Sequence, residues 1–550
     1  MRSRCLIFVF LFLSLSLSIV ARDENKLLRP KLIVGIVVDQ MRWDYLYRYY
    51  ENYGEDGFKR LLNNGFACEN TMLNYIPTYT AIGHTCIYTG SVPSIHGIAG
   101  NNFMIEREGR SVYCTEDKSV SGVGSQTENG EMSPRNLWVT TVGDELRLAT
   151  NFRSKVIGIA LKDRAAILPA GHTANAAYWF DSKVGKWISS TYYMKTLPRW
   201  VVDFNKKDLA ARYLKQDWNL LLPREAYQQS TGDSTTYEEP LVKGEAPVFP
   251  VALSKLFKKK GYGIIRSTPW GNTLTLDMAK AAMEGESLGK GEFTDFLAVS
   301  LSATDYIGHQ FGTNAMETED TYIRLDRDLG AFLRYLDETV GEGNYTVFLT
   351  ADHGGAHNVA FLQDHGIPAG GWFSSKIKMT LDSLLTQRFN IKSSLITGLG
   401  NYQVHLNYAR IDSAQLELEK VKSVIIDFLK EEEGVAYVLD MEKAVTAPIP
   451  ALIRERVING YNRERSGIIQ IIVKPGWYGV YAEGRPQGTT HGTWHPYDAH
   501  IPLIFMGWGV RPGVTHRSVN MTDIAPTVAA LLRIQMPNGC IGTAIEEIVR

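Results

Sequence analysis

Three stretches of this chain end in the same way, and together they limit what it can fold into. Lys31 to Val38 reads K-L-I-V-G-I-V-V and runs straight into Asp39; Asp295 to Leu301 leads to Asp305; Tyr345 to Thr350 leads to Asp352 and His353. Short, continuous apolar runs rich in β-branched residues are the pattern of strands buried on both faces, as in a parallel sheet covered by helices. Helical patterns lie between the runs. From Thr318 to Val340, the residues Tyr322, Leu325, Leu329, Phe332, Leu333 and Leu336 mark one face while charges occupy much of the other. Strands alternating with helices predict an α/β fold. Ligands gather at the carboxyl ends of strands in such sheets, so Asp39, Asp305 and Asp352 are placed where an active site belongs.

Composition narrows the class of protein. The chain has 550 residues, 44% hydrophobic and 21% charged, enough to bury a large core. A formal charge of -1 argues against binding nucleic acid by bulk electrostatics, so an anionic substrate must be held by local charge. The N-terminus reads Met1-Arg2-Ser3-Arg4, then an apolar and Ser-containing run from Cys5 to Val20, then Ala21-Arg22-Asp23. That is the three-part pattern of a secretory signal peptide, expected to be cleaved after Ala21. The run is short for a membrane anchor, so the mature chain is expected to be soluble and extracytoplasmic. Cys68, Cys86, Cys114 and Cys540 then remain in an oxidising compartment, as structural disulfides or buried thiols.

Two segments read as additions to the α/β core. Residues 179–270 are aromatic and irregular, with a polar, Pro-containing section from Gln228 to Pro250, and are expected to form a cap near the site. Their aromatics, including Trp187, Tyr192, Tyr193 and Trp200, read as packing residues. Residues 401–478 predict a small α+β subdomain: strands at Tyr402 to Leu406, Val435 to Leu439 and Ile468 to Val473, with helices at Ala414 to Glu431 and near Pro450 to Gly460. A strand at Ile501 to Met506 and a helix at Thr522 to Leu532, capped by Asn520 or Thr522, complete the chain.

The candidate metal ligands are three Asp and three His. Asp305 and His309 are four apart, so on a helix both face one way. Asp352 and His353 are adjacent and followed by Gly354 and Gly355, which permit a tight turn. Singly, each reads better as a cap or turn former; their joint occurrence at strand ends favours ligation. The C-terminal part offers His491, His495 and His500, of which His491, in T-T-H-G-T, has the setting of an exposed, Gly-flanked ligand loop. Carboxylate and imidazole without thiolate suit zinc, although manganese or iron accepts the same donors. Thr80 follows a Pro-directed turn at Pro77 and precedes a helix-compatible run, which places it near a helix N-terminus, where anions bind. It is either an ordinary N-cap or a nucleophile activated by a dication. Two metals around one hydroxyl suit in-line displacement at phosphorus.

Six ordered motifs then resemble the alkaline phosphatase superfamily, and most closely its secreted, phosphate-irrepressible, PafA-type members with a Thr nucleophile. They are V-V-D-Q-M-R at Val37 to Arg42, P-T-Y-T-A-I-G-H at Pro77 to His84, L-K-D-R-A-A-I-L-P-A-G-H at Leu161 to His172, D-Y-I-G-H at Asp305 to His309, A-D-H-G-G at Ala351 to Gly355, and T-H-G-T at Thr490 to Thr493. The resemblance covers nearly the whole mature chain and implies a central, mostly parallel sheet sandwiched by helices. It implies two Zn2+ ions, one held by Asp305, His309 and His491 and the other by Asp39, Asp352 and His353, with Thr80 between them as nucleophile. Asn101, with Asn102 beside it, matches the family's contact to a phosphoryl oxygen.

Lys162 and Arg164 bear on substrate class. They follow the strand-like run Val156 to Leu161, and extended geometry would point both side chains the same way. Within the resemblance they look like the cationic pair of the monoesterases, suited to a dianionic phosphoryl group. The expected activity is hydrolysis of small phosphate monoesters through a phosphothreonine, by a secreted, periplasmic enzyme without nucleic-acid partners and not inserted in a membrane once its signal is removed; the oligomeric state is left open, with a monomer favoured. The rival is a two-metal phosphodiesterase or nucleotide pyrophosphatase. A sulfatase is disfavoured, because Thr80 is followed by Ala81, Ile82, Gly83 and His84 rather than by C/S-x-P-x-R.

Overall fold

A computed structural model describes residues 27–481 and 484–549, so the expected signal peptide lies outside the described residues. The strand Leu32–Val38 is buried at every position and pairs in parallel with Asp295–Leu301 on one side and Tyr345–Thr350 on the other. These are the three runs singled out above, and they form the centre of a ten-stranded sheet. The parallel part continues beyond Asp295–Leu301 through Val156–Ala160 to Ala176–Asp181. Antiparallel strands close the flanks: Lys186–Ser190 and Gly122–Val123 at one edge, and Leu503–Gly507, next to Tyr345–Thr350, toward the other. The sheet is therefore mixed, with a parallel centre.

Helices cover it in two sets, giving the α/β architecture. Trp270–Glu286 packs on Asp295–Leu301 and against Met316–Thr339, while Asp163–Ala170 packs on Val156–Ala160 and against Thr80–Thr89. Every residue of Thr80–Thr89 is buried. That explains why its sequence has no polar face: it is surrounded by sheet and helices rather than lying on the surface.

Several sequence expectations shift. Trp179 lies inside the strand Ala176–Asp181, and Trp187 inside Lys186–Ser190, so the chain leaves the main sheet only after Ser190 and not at Trp179. The aromatics beyond do pack: Trp200 meets Tyr178 edge-on at 5.3 Å, and Trp218 is fully buried. The strand expected at Ile501 to Met506 is divided by Pro502, which cannot donate to a ladder; His500–Ile501 joins a small separate sheet and Leu503–Gly507 joins the main one. The helix expected from Ala414 to Glu431 runs from Leu418 to Lys430, and a separate short helix, Tyr408–Ser413, precedes it. Asn520, not Thr522, makes the reciprocal cap with Asp523, starting a 3-10 turn that leads into Ile524–Leu532.

The strands Ile396–Gly400, Gln403–Leu406, Ile469–Val473 and Val435–Asp440 form, in that order, an antiparallel sheet. Val404, Val421, Ile425 and Ile469 are among the residues of its separate apolar core. It meets the main body at the segments that lead to Thr80 and away from His491: Asn459 Nδ2 donates to Asn74 O at 2.8 Å, and an Arg456 N–H donates to Trp494 O at 2.6 Å. Cys68, Cys86 and Cys114 are buried free thiols, and Cys540 is a half-buried one.

Candidate active site

The three central strands deliver their carboxylates to one edge of the sheet. Asp39 follows Val38, which is level with Leu301, and Asp352 follows Thr350, which is level with Val37. Asp305 lies in the helix Ala303–Phe311, so His309 stands one turn further on, its Nε2 3.2 Å from Asp305 Oδ1. His491 Nε2 approaches the same oxygen at 3.6 Å. His353 Nε2 is 3.4 Å from Asp352 Oδ2, 3.6 Å from Asp39 Oδ1 and 3.4 Å from the Thr80 hydroxyl. All six predicted ligands and Thr80 are thus brought together.

The imidazoles share one feature that a merely structural histidine need not have. His309, His353 and His491 each donate their Nδ1–H to a backbone carbonyl, of Thr489 at 2.8 Å, Gly354 at 2.9 Å and Thr78 at 2.6 Å respectively. This fixes the tautomer and turns each Nε2 lone pair toward the carboxylates, as in metal sites whose ligands are held from behind. The rings of His353 and His491 are stacked face to face with centroids 3.5 Å apart. His491 is buried rather than exposed as its loop setting suggested, because this stacking and the bond to Thr78 draw it inward. The other two candidates are engaged elsewhere: His495 Nε2 with Val473 O at 3.2 Å, and His500 Nε2 with Glu69 O at 2.9 Å.

The donor set fits dications. Asp39 Oδ1 and Asp352 Oδ2 are buried without a hydrogen-bond partner among the described residues. His84 Nδ1 lies 3.3 Å from Asp352 Oδ2, but its other neighbour, Thr80 O, is closer at 2.9 Å and takes the proton. Asp305, His309 and His491 form one group with converging donor atoms, and Asp39, Asp305 and His353 form another. The second group contains Asp305 where the resemblance places Asp352, although Asp352 Oδ2 also reaches His353. Burial, followed by repulsion from Asp352, drives the Asp39 carboxyl well above its usual range despite Lys162. Burial also disfavours charge on Asp305, but His309, Lys162 and His491 outweigh it and hold that carboxyl well below the carboxylate range. Burial, with His353 adding repulsion, keeps His491 neutral, which is the state that ligates.

Thr80 is the first residue of its helix, where the first backbone N–H groups have no intrahelical partner. One of them is taken up by a side chain: Ala81 N–H donates to Asn101 Oδ1 at 2.9 Å, which holds the Asn101 amide against the residue next to Thr80 in the chain. Asn102 is exposed and begins a hairpin strand, so Asn101 is the one at the site.

Lys162 and Arg164 are not on one face of a strand. The strand ends at Ala160, Lys162 occupies the N-cap position of the next helix without a side-chain cap, and Arg164 is in its first turn. The β-branched run hides this turn, because the K-D-R segment that starts the helix has no polar break before it. Lys162 Nζ bridges Asp39 at 2.7 Å and Asp305 at 2.6 Å, and an Arg164 N–H donates to Tyr113 OH at 3.0 Å. Tyr113 in turn donates to Asp163 at 2.9 Å.

Sequence reasoning gave no role to four further residues. Gln40, in the left-handed region at φ 62°, donates Nε2–H to Asp305 at 2.8 Å and its backbone N–H to Asp352 at 3.1 Å. His84 spans from Thr80 O to Ser300 Oγ. Tyr306 lies 5.0 Å from the Lys162 ammonium and 5.0 Å from the Arg266 guanidinium, and Tyr113 braces Arg164. Gln40, His84 and Tyr306 all sit inside the conspicuous motifs, which was the available signal.

The chain resembles known proteins over nearly its whole length. The family described as type I phosphodiesterase / nucleotide pyrophosphatase matches residues 33–498. The chain is 52% identical to the alkaline phosphatase PafA of Elizabethkingia meningoseptica, over 96% of each chain. It is 56% identical, over 96% of each chain, to a Myroides odoratus protein named calcium-transporting ATPase. The crystal structure of wild-type PafA superposes with a TM-score of 0.93 at 52% identity, covering 96% of this chain and 100% of that one.

Proposed function

The chain belongs to the alkaline phosphatase superfamily and hydrolyses phosphate monoesters, and we propose that it does so with two zinc ions and a covalent phosphothreonine on Thr80. The observation that carries this reading is the convergence of three carbonyl-anchored histidines and three buried carboxylates on the hydroxyl at a helix N-terminus. Asp305, His309 and His491 would hold one ion; Asp39, Asp352 and His353 would hold the other. Bound zinc would acidify the Thr80 hydroxyl and offset charge on the phosphoryl oxygens.

Thr80 Oγ1 attacks phosphorus in line with the leaving alcohol, forming a Thr80 phosphoester that water then hydrolyses. The helix N-terminus and the Asn101 NH2 receive the non-bridging oxygens. Lys162, kept protonated because Asp305 and Asp39 more than offset its burial, places a full positive charge beside the site. Arg164 adds a planar fork for a dianionic group. These two cations favour a monoester, which carries one more charge than a diester.

The diesterase reading has the matched family's description behind it. The Myroides odoratus relative's name adds ATP-driven transport; among the described residues no helix is long and apolar enough to cross a membrane. We place the mature enzyme in the periplasm, from the N-terminal pattern of charge, apolar run and Ala21.

The decisive experiment compares kcat/KM on p-nitrophenyl phosphate, bis-p-nitrophenyl phosphate and p-nitrophenyl sulfate, with zinc stripped and restored, and digests acid-quenched enzyme for phosphopeptides. The monoester should lead, activity should return with zinc, and phosphate should map to Thr80. A faster diester would reverse the substrate assignment, and label on any other residue would reverse that of the nucleophile.

A further inference from the structure

Beyond the active site, one pair of acids is left in an electrostatically untenable state. Glu238 and Glu317 are 1% and 0% exposed, and all four of their carboxylate oxygens are buried without a hydrogen-bond partner among the described residues. Their acidic neighbours are provided for. Asp233 accepts from Arg224 and from Phe249 N–H, Glu319 from Ser230 and Asn52, and Asp320 from Trp218, Leu221 N–H, Tyr227 and Arg324. Only the Thr235 hydroxyl favours the charged form of Glu238, without completing a bond in hydrogen-bond geometry, and no Lys or Arg is among the groups that offset either charge.

An unpaired ion in the interior costs several kcal/mol even after relaxation. Such a pair has two ways out: take up protons, or bind a cation. Burial pushes Glu238 up to about 8, and burial followed by repulsion from Glu238 pushes Glu317 far up. Taking up protons leaves two neutral carboxyls; binding a cation keeps both charged and uses four oxygens to which no group among the described residues donates.

We propose that Glu238 and Glu317 form a divalent-cation site separate from the candidate active site, of the calcium class. The donors are hard oxygens without imidazole or thiolate, and the site is buried. Magnesium keeps several of its waters, whereas calcium accepts carboxylates in bidentate fashion and tolerates irregular geometry, so calcium is the better occupant. The placement suggests what the ion would do. Beside Glu238, Tyr237 O accepts from Gly488 N–H at 2.6 Å, and Glu239 N–H donates to Gln310 O at 2.8 Å. Gln310 follows His309, and Thr489, after Gly488, accepts the His309 Nδ1–H. Glu317 stands in the first turn of Met316–Thr339, a short step along the chain from the helix carrying His309. A cation there would pin the segment that contacts the His309 helix to the long helix Met316–Thr339.

The test uses the full mature chain, saturated with zinc in calcium-free buffer and then titrated with CaCl2, with calorimetry and thermal unfolding as readouts. One calcium should bind per chain over the zinc, and Tm should rise by about 5 °C or more at saturation. E238Q/E317Q should abolish both effects; Glu317→Asp, which keeps the charge but shortens the arm, should bind more weakly and covers the case in which the double variant does not fold. No calcium bound by the zinc-saturated wild type, with an unchanged Tm, overturns the proposal in favour of a protonated pair. Calcium binding that persists undiminished in E238Q/E317Q overturns it in favour of another site.

Discussion

At the scale of single residues, the site separates groups that meet the substrate from groups that hold them. Thr80→Ala removes the nucleophile but no strong structural partner, since among the described residues its hydroxyl pairs with His353 alone, at a long 3.4 Å. Its monoester kcat should fall by about 10³-fold or more while zinc content and Tm stay within error of wild type, which pre-steady-state kinetics and metal analysis would check. Arg164 differs, because its orientation depends on Tyr113, itself fixed by Asp163. Tyr113→Phe keeps the ring packed and deletes only the oxygen. Monoester kcat/KM should drop about tenfold, the equivalent of about 1.4 kcal/mol, with diester kcat/KM nearly unchanged. An equal loss on both esters would show that the tyrosine supports the fold rather than the dianion-binding arginine.

At the scale of elements, what was legible in the sequence is what local pattern dictates. Asp39, Asp305 and Asp352 could be placed because the strands before them are buried on both faces, and such strands cannot hide a polar break. The turn at Lys162 was misread for the converse reason: the apolar run passes through Leu161, and only tertiary packing of Asp163–Ala170 on the sheet decides that the chain bends there. Glu238 and Glu317 were not legible at all, since each is an ordinary acid until the fold buries both. Gly83 shows how tightly the elements are set. A Cβ there would lie 2.3 Å from Asp352 O and 2.7 Å from Asp352 Cβ, so the nucleophile helix rests directly on the ligand loop. Gly83→Ala should push Asp352 away from His353, cost about 1 to 3 kcal/mol of stability and weaken zinc retention. Chelator competition would detect the second effect; normal zinc affinity in a destabilised variant would mean that the loop yields without moving its carboxylate.

Across the whole molecule, three neutral histidines, His96 and His495 buried and His357 half-buried, tie distant parts together and set its response to acid. His96 accepts from Ile98 N–H beside the nucleophile helix, His357 accepts from Arg42 and pairs with Asn314, and His495 links the C-terminal segment to Val473 of the second sheet. Burial comes first in lowering each of them: His96 to about 3 with help from Arg465, His357 to about 3 with help from Arg42, and His495 to about 4. Their unfolded value is about 6.5. At pH 8 both states are uncharged and the shifts contribute nothing. Below about 6.5 the unfolded chain binds protons that the folded chain refuses, so each histidine lowers the unfolding free energy by about 1.4 kcal/mol per pH unit until its folded value is reached. The fold should therefore hold from neutral into alkaline medium and weaken steeply between pH 6.5 and 4. The zinc ligands also protonate in that range, so the test is a difference. In denaturant titrations of holoenzyme, His495→Gln keeps a donor for Val473 O but cannot protonate, and it should be flatter than wild type by one histidine's slope between pH 6 and 4.5. Parallel curves would mean that acid acts through the metal centre alone.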